Sequence, residues 1–159
     1  MSIADPALFT ARRWGLLAGA LLFSACALTG GLDAQIGNYE KSVRAEADWL
    51  WNNMNYARTH LQPDDAYCKP EQFVHRKVTL DDTARQKDPQ RAALVDRVDY
   101  ASVLVRQAHD EWNRFCTHQN SAVGTVAALE QRLALAYGSM NQVRLALAPC
   151  EATPAPGST

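Results

Sequence analysis

Apolar residues recur along this chain at alternating steps of three and four, the spacing that turns one face of a helix toward a partner. Between Gln90 and Leu147 the pattern forms two stripes. The first is Leu94, Val98, Ala101, Val105, Ala108, Trp112 and Phe115, and the second is Val126, Leu129, Leu133, Ala136, Met140, Val143 and Leu147. An earlier helix is predicted from Ile36 through Tyr39, Val43, Ala47, Leu50, Met54, Ala57 and Leu61, with Gln62-Pro63 stopping it. That helix carries a further line of large polar and aromatic residues, Trp49, Asn53, Tyr56 and His60. Such a line is either a candidate partner surface or a face covered by the protein's own following loop.

Local signals set the boundaries. Pro63 to Asp88 reads as a long loop, with some strand character over Phe73 to Leu80 and a capping-box start at Thr79-Leu-Asp-Asp82. Asp88-Pro89 predicts a helix start, an acid at the cap and proline in the first turn. Thr117 to Ser121 breaks the long stretch, with Asn120 or Ser121 able to cap the next helix, and Gly124 weakens helix nearby. The alternative is one unbroken helix of roughly 85 Å, which would need an oligomeric coiled-coil partner. The hairpin buries all three stripes within one chain. The expected fold is therefore all-α, a three-helix up-down-up bundle with a long loop between helices 1 and 2. Residues 38–150 would form the helical domain, 26–37 a spacer, and 151–159 a loose tail rich in proline and small residues.

The first 25 residues read differently. Arg12-Arg13 precede an uncharged apolar run from Trp14 that closes on small residues, the form of a secretory signal peptide. An uncleaved membrane anchor is the alternative, because Trp14 to Leu32 carries no charge and nearly suffices to span a bilayer. Plain secretion after ordinary cleavage is a third. Phe23-Ser24-Ala25-Cys26 resembles the lipobox of bacterial lipoproteins, with Phe23 where leucine is usual. The resemblance implies that Cys26 carries a diacylglycerol and palmitate and becomes the first mature residue. It also implies a membrane tether in the bacterial cell envelope, facing the periplasm, and Ala27 permits the outer membrane.

With Cys26 lipidated, Cys68, Cys116 and Cys150 remain in an oxidising compartment. In an up-down-up bundle Cys68 and Cys150 lie at one end, which predicts a Cys68–Cys150 disulfide and leaves Cys116 buried beside Phe115.

Composition adds little chemistry. A net charge of -1 offers no basic face for nucleic acid. The chain has no Gly-rich phosphate loop, no His-Glu-x-x-His and no Cys-x-x-Cys-His, and its four histidines share no ligand spacing. Cys116 and His118 could supply two metal ligands, against the plainer reading of a turn histidine beside a buried thiol. His109, Asp110 and Glu111 read as the solvated face of their helix. Ala108-His-Asp-Glu-Trp112-Asn-Arg-Phe115 resembles a segment of small secreted lysozyme-inhibitor-type helical domains. The expectation is a non-enzymatic envelope lipoprotein without cofactor or metal, presenting its bundle to an envelope protein partner. Enzyme inhibition and small-ligand or metal binding within the bundle are the alternatives.

Overall fold

A computed structural model describes residues 30–64, 66–69 and 71–148. Three long helices, α1 (Gly30–Thr59), α3 (Pro89–Cys116) and α4 (Ala122–Leu147), pack together, and a short α2 (Asp82–Lys87) precedes α3. There is no strand among the described residues, and Phe73 to Leu80 runs as irregular chain. One segment with strand character and nothing to pair with cannot form a sheet. The all-α class is as the periodicity predicts.

The predicted stripes are the core. Tyr39, Val43, Ala47, Leu50 and Met54 of α1, Val98, Ala101, Val105 and Ala108 of α3, and Leu129, Leu133, Ala136, Met140 and Val143 of α4 are all buried. Leu94, Val126 and Leu147 are half-buried against this core, and Leu61 is exposed at 86%, because α1 has ended at Thr59. The other end of α1 also differs from expectation. The supposed spacer is helical from Gly30, since Leu32 and Ile36 continue the stripe and Asp33 ties to Arg91 with bonds of 2.7 and 3.0 Å.

Side-chain capping explains the remaining boundaries. Asp81 rather than Thr79 caps α2, accepting from the Ala84 N–H at 2.7 Å. Asp88 caps α3 through the Arg91 N–H at 3.0 Å, with Pro89 in the first turn as predicted. Ser121 caps α4 through the Gly124 N–H at 3.1 Å. Gly124 belongs there because a Cβ would stand 2.7 Å from the Asn120 Oδ1. The chain reverses between α3 and α4 with His118 in the left-handed region at φ 58°. The long stretch is thus a hairpin, not a rod.

The direction of the helices corrects the expected topology. Asp33 meets Arg91, Tyr39 meets Asp99, and Glu46 meets His109, at sequence separations of 58, 60 and 63. A nearly constant separation means that α1 and α3 run parallel. By contrast Arg44 meets Asn141 and Asp48 meets Tyr137, at separations of 97 and 89, so α4 is antiparallel to α1. The order is up, up, down. The connection from His60 to Asp81 is long enough for this, since extended chain covers more than twice the rise of a helix per residue. It runs back along the bundle as a strap and delivers α3 beside the start of α1.

That correction carries a second. Parallel α1 and α3 end together, so Cys68 pairs with Cys116 and not, as expected, with Cys150. Cys68 and Cys116 form a disulfide with Cα atoms 5.5 Å apart. Cys116 is therefore neither a leftover thiol nor a metal ligand. Cys150, with the tail, lies outside the described residues, as do Cys26 and the whole signal segment.

Candidate functional site: a carboxylate clamp beneath the strap

Glu46 sits on α1 between Val43 and Leu50, one helical step from each, and so turns inward with them. Its residue exposure is 4%. A charge placed there needs partners. The strap supplies one, with His75 Nε2 at 2.6 Å from Oε2, and α3 supplies the other, with His109 Nδ1 at 2.5 Å from Oε1. Burial alone would raise the Glu46 pKa, but hydrogen bonds from His109 and His75 outweigh it and hold the carboxyl at about 2. An ionised carboxylate only accepts, so His75 carries a proton on Nε2 and His109 on Nδ1.

The network continues outward. The other nitrogen of His75 stands 2.8 Å from Ser102 Oγ, which also accepts from Arg106 Nη2 at 3.3 Å. Next to it the Tyr39 hydroxyl donates to Asp99 Oδ1 at 2.7 Å, and Lys77 Nζ of the strap lies 3.5 Å from the same oxygen. Burial and the Asp99 carboxylate push the Tyr39 hydroxyl up to about 12. Strap backbone is held too, since the Arg76 N–H donates to Ser42 Oγ at 3.0 Å. Above Glu46, Trp49 stacks on His109 with ring centres 5.4 Å apart and meets Phe73 at 5.6 Å and Trp112 at 6.3 Å.

Ser102, His75 and Glu46 share the connectivity of a nucleophile, base and orienting acid. The surroundings give them another task. Ser102 is 1% exposed and lies under the strap, with His75 Nδ1 at 2.8 Å and Arg106 Nη2 at 3.3 Å. In this arrangement the three groups clamp the strap to α1 and α3.

The line proposed as a partner surface is largely consumed by the same covering. Asn53 is buried and donates to the Trp49 carbonyl at 2.9 Å. Tyr56 is buried between the rings of His60 and Tyr67, at 4.1 and 3.9 Å, with its hydroxyl donating to the Gln62 carbonyl. Of the four, His60 alone is exposed. The face is covered by its own loop.

No family model matches this chain, and neither does a curated protein or a solved structure. In the segment that resembles lysozyme-inhibitor-type domains, Ala108, Trp112 and Phe115 are core residues. Among the described residues no group of three or more His, Cys, Asp or Glu side chains could hold a metal ion. No helix among them is long and apolar enough to cross a membrane.

Sequence reasoning missed the clamp because its members are far apart, with His75 separated by 29 residues from Glu46 and His109 by 63. One signal was present. Glu46 falls on the inward face between Val43 and Leu50, and a charge at a core position asks for buried partners. The neighbouring Asp110 and Glu111 predict a solvated His109, whereas its ring turns toward α1 and Glu46.

Proposed function

We propose that this protein is an exported, non-enzymatic helical bundle of the bacterial cell envelope, tethered through a lipid on Cys26 and serving as a binding or assembly module. The observation that carries the reading is the Cys68–Cys116 disulfide. Paired thiols of this kind persist in oxidising compartments, which agrees with the signal-like first 25 residues and with the lipobox resemblance at Phe23 to Cys26. The clamp supports a structural use for the most reactive side chains, because each polar group in it already has an internal partner.

Mass spectrometry of the protein recovered from membranes tests the tether. The expected mature chain starts at Cys26 and carries the mass of a diacylglycerol and a further acyl chain. A retained Met1, or an unmodified Cys26, overturns it. A pull-down from envelope extract with the lipid-free bundle tests the module reading, with a stoichiometric envelope protein as the expected outcome.

A further inference from the structure

The outer face of α3 carries a second periodic stripe that the bundle leaves unused. Asp96, Tyr100, Val103, Gln107, Asp110 and Arg114 succeed one another at steps of four and three, and all six are exposed. Alternating steps of this kind keep a single line along the helix, with the spacing of a coiled-coil seam. Its first half is apolar, with Tyr100 and Val103 each 52% exposed. Leu135 and Gly138 of α4 line the groove beside Tyr100 and widen that strip, and Leu135 is 50% exposed.

Read backwards, the stripe complements itself at its two outer pairs. A two-fold axis through position 105 sets Asp96 against Arg114 of the partner subunit. It sets Tyr100 against Asp110 of the partner subunit, an oxygen donor against a carboxylate. Val103 then meets Gln107 of the partner subunit. Parallel packing would instead set each charge against its own kind, which destabilises. In the single chain Asp96 is held by Arg85 and Arg114 by Glu111, at 2.9 and 3.1 Å. The Asp96 pair is a surface pair of the sort that contributes little and exchanges readily, and Glu111 keeps Arg132 at 3.5 Å and Asn120 at 3.2 Å when Arg114 turns outward.

We propose that the outer face of α3 docks a second copy of this chain, antiparallel, in a two-fold dimer. The two Gly30 ends then leave from opposite ends of the dimer. Tethered copies would lie with their helices along the membrane surface. The dimer does not depend on the envelope reading, and a failure of either leaves the other intact.

Sedimentation velocity of the full chain in mild detergent tests it, using wild type, Asp96→Arg, Arg114→Asp and the double swap. All sites are exposed, and circular dichroism checks that each variant folds. The wild type should show a concentration-dependent dimer. Each single reversal turns two symmetric attractions into repulsions and should weaken the dimer about tenfold. The double swap should restore it. A monomer at every concentration, as when the chain's own tail covers the stripe, overturns the proposal. So does a dimer indifferent to the single reversals, or a double swap as weak as either single change.

Discussion

Two segments close the pair formed by α1 and α3, and they do it by different means. α4 lies along the pair with Leu129, Leu133, Ala136, Met140 and Val143 all fully buried. The strap lies along it with a single buried apolar residue among the stretch from 71 to 81, Val78, with Phe73 and Leu80 half-buried, and otherwise with point contacts from His75, Arg76 and Lys77. Apolar burial is non-directional and spread over many atoms. Hydrogen bonds to a buried charge are few and each is costly to break. The same core is thus shut by a continuous seam on one side and by a latch on the other.

Substitutions can separate the two. The largest effect should come from the disulfide, which fixes the upper end of the strap across a loop of 48 residues. Replacing Cys68 and Cys116 by serine should lower unfolding free energy by about 4 kcal/mol in the chain-entropy model, measured by urea denaturation. A loss under 1 kcal/mol would mean that the strap is held elsewhere. On the α4 side, Leu133→Ala should cost about 3 kcal/mol through the lost burial and the cavity left behind, with the transition staying cooperative. A broadened, two-step melt would show that α4 unfolds on its own and would break the comparison.

Acid should act on the strap side. The Glu46 carboxyl titrates at about 2 in the folded chain, below its ordinary value of 4.5. A depressed folded pKa means that the unfolded chain binds the proton first as pH falls. The stabilisation is therefore complete above about 4.5 and lost on the way down to 2, a change on the order of 2 to 3 kcal/mol. Glu46→Gln should flatten the stability profile across that window. An unchanged slope would remove Glu46 as its source.

The smallest effect should be the most local. His75→Ala takes one hydrogen bond from Glu46 and one from Ser102, and should cost about 1 to 2 kcal/mol overall. Its signature is faster tryptic cleavage at Arg76 and Lys77, with α4 amide exchange little changed. Equal acceleration in both segments would show one cooperative unit instead of a latch and a seam.

The same contrast explains what could be read from the sequence. The helices that make the seam were legible, because a period of three and four names the buried positions one by one, from Val98 to Phe115 and from Leu129 to Val143. The strap was not. Its backbone has no period, and its anchors are set by where a long connection happens to travel. Periodicity identifies which face of α1 is buried but not whether α3 runs with it or against it. The up-down-up expectation and the Cys68–Cys150 pairing failed together for that one reason. The line from Trp49 to His60 fits a partner surface or a loop cover equally well by its spacing, and only the course of the strap, with Phe73, Tyr67 and Gln62 over it, decides for the cover.

The parallel course of α1 and α3 also sets an order of events. The turn after Cys116 is short, so α3 and α4 find each other locally. α1 meets α3 only across about sixty residues, as at Tyr39 and Asp99. Contacts that close long loops form late and slowly. A chain emerging N-terminus first therefore displays α1 before any partner exists for it, with its inward face uncovered until α3 has appeared about sixty residues later. Through that interval the apolar stripe of α1 faces water.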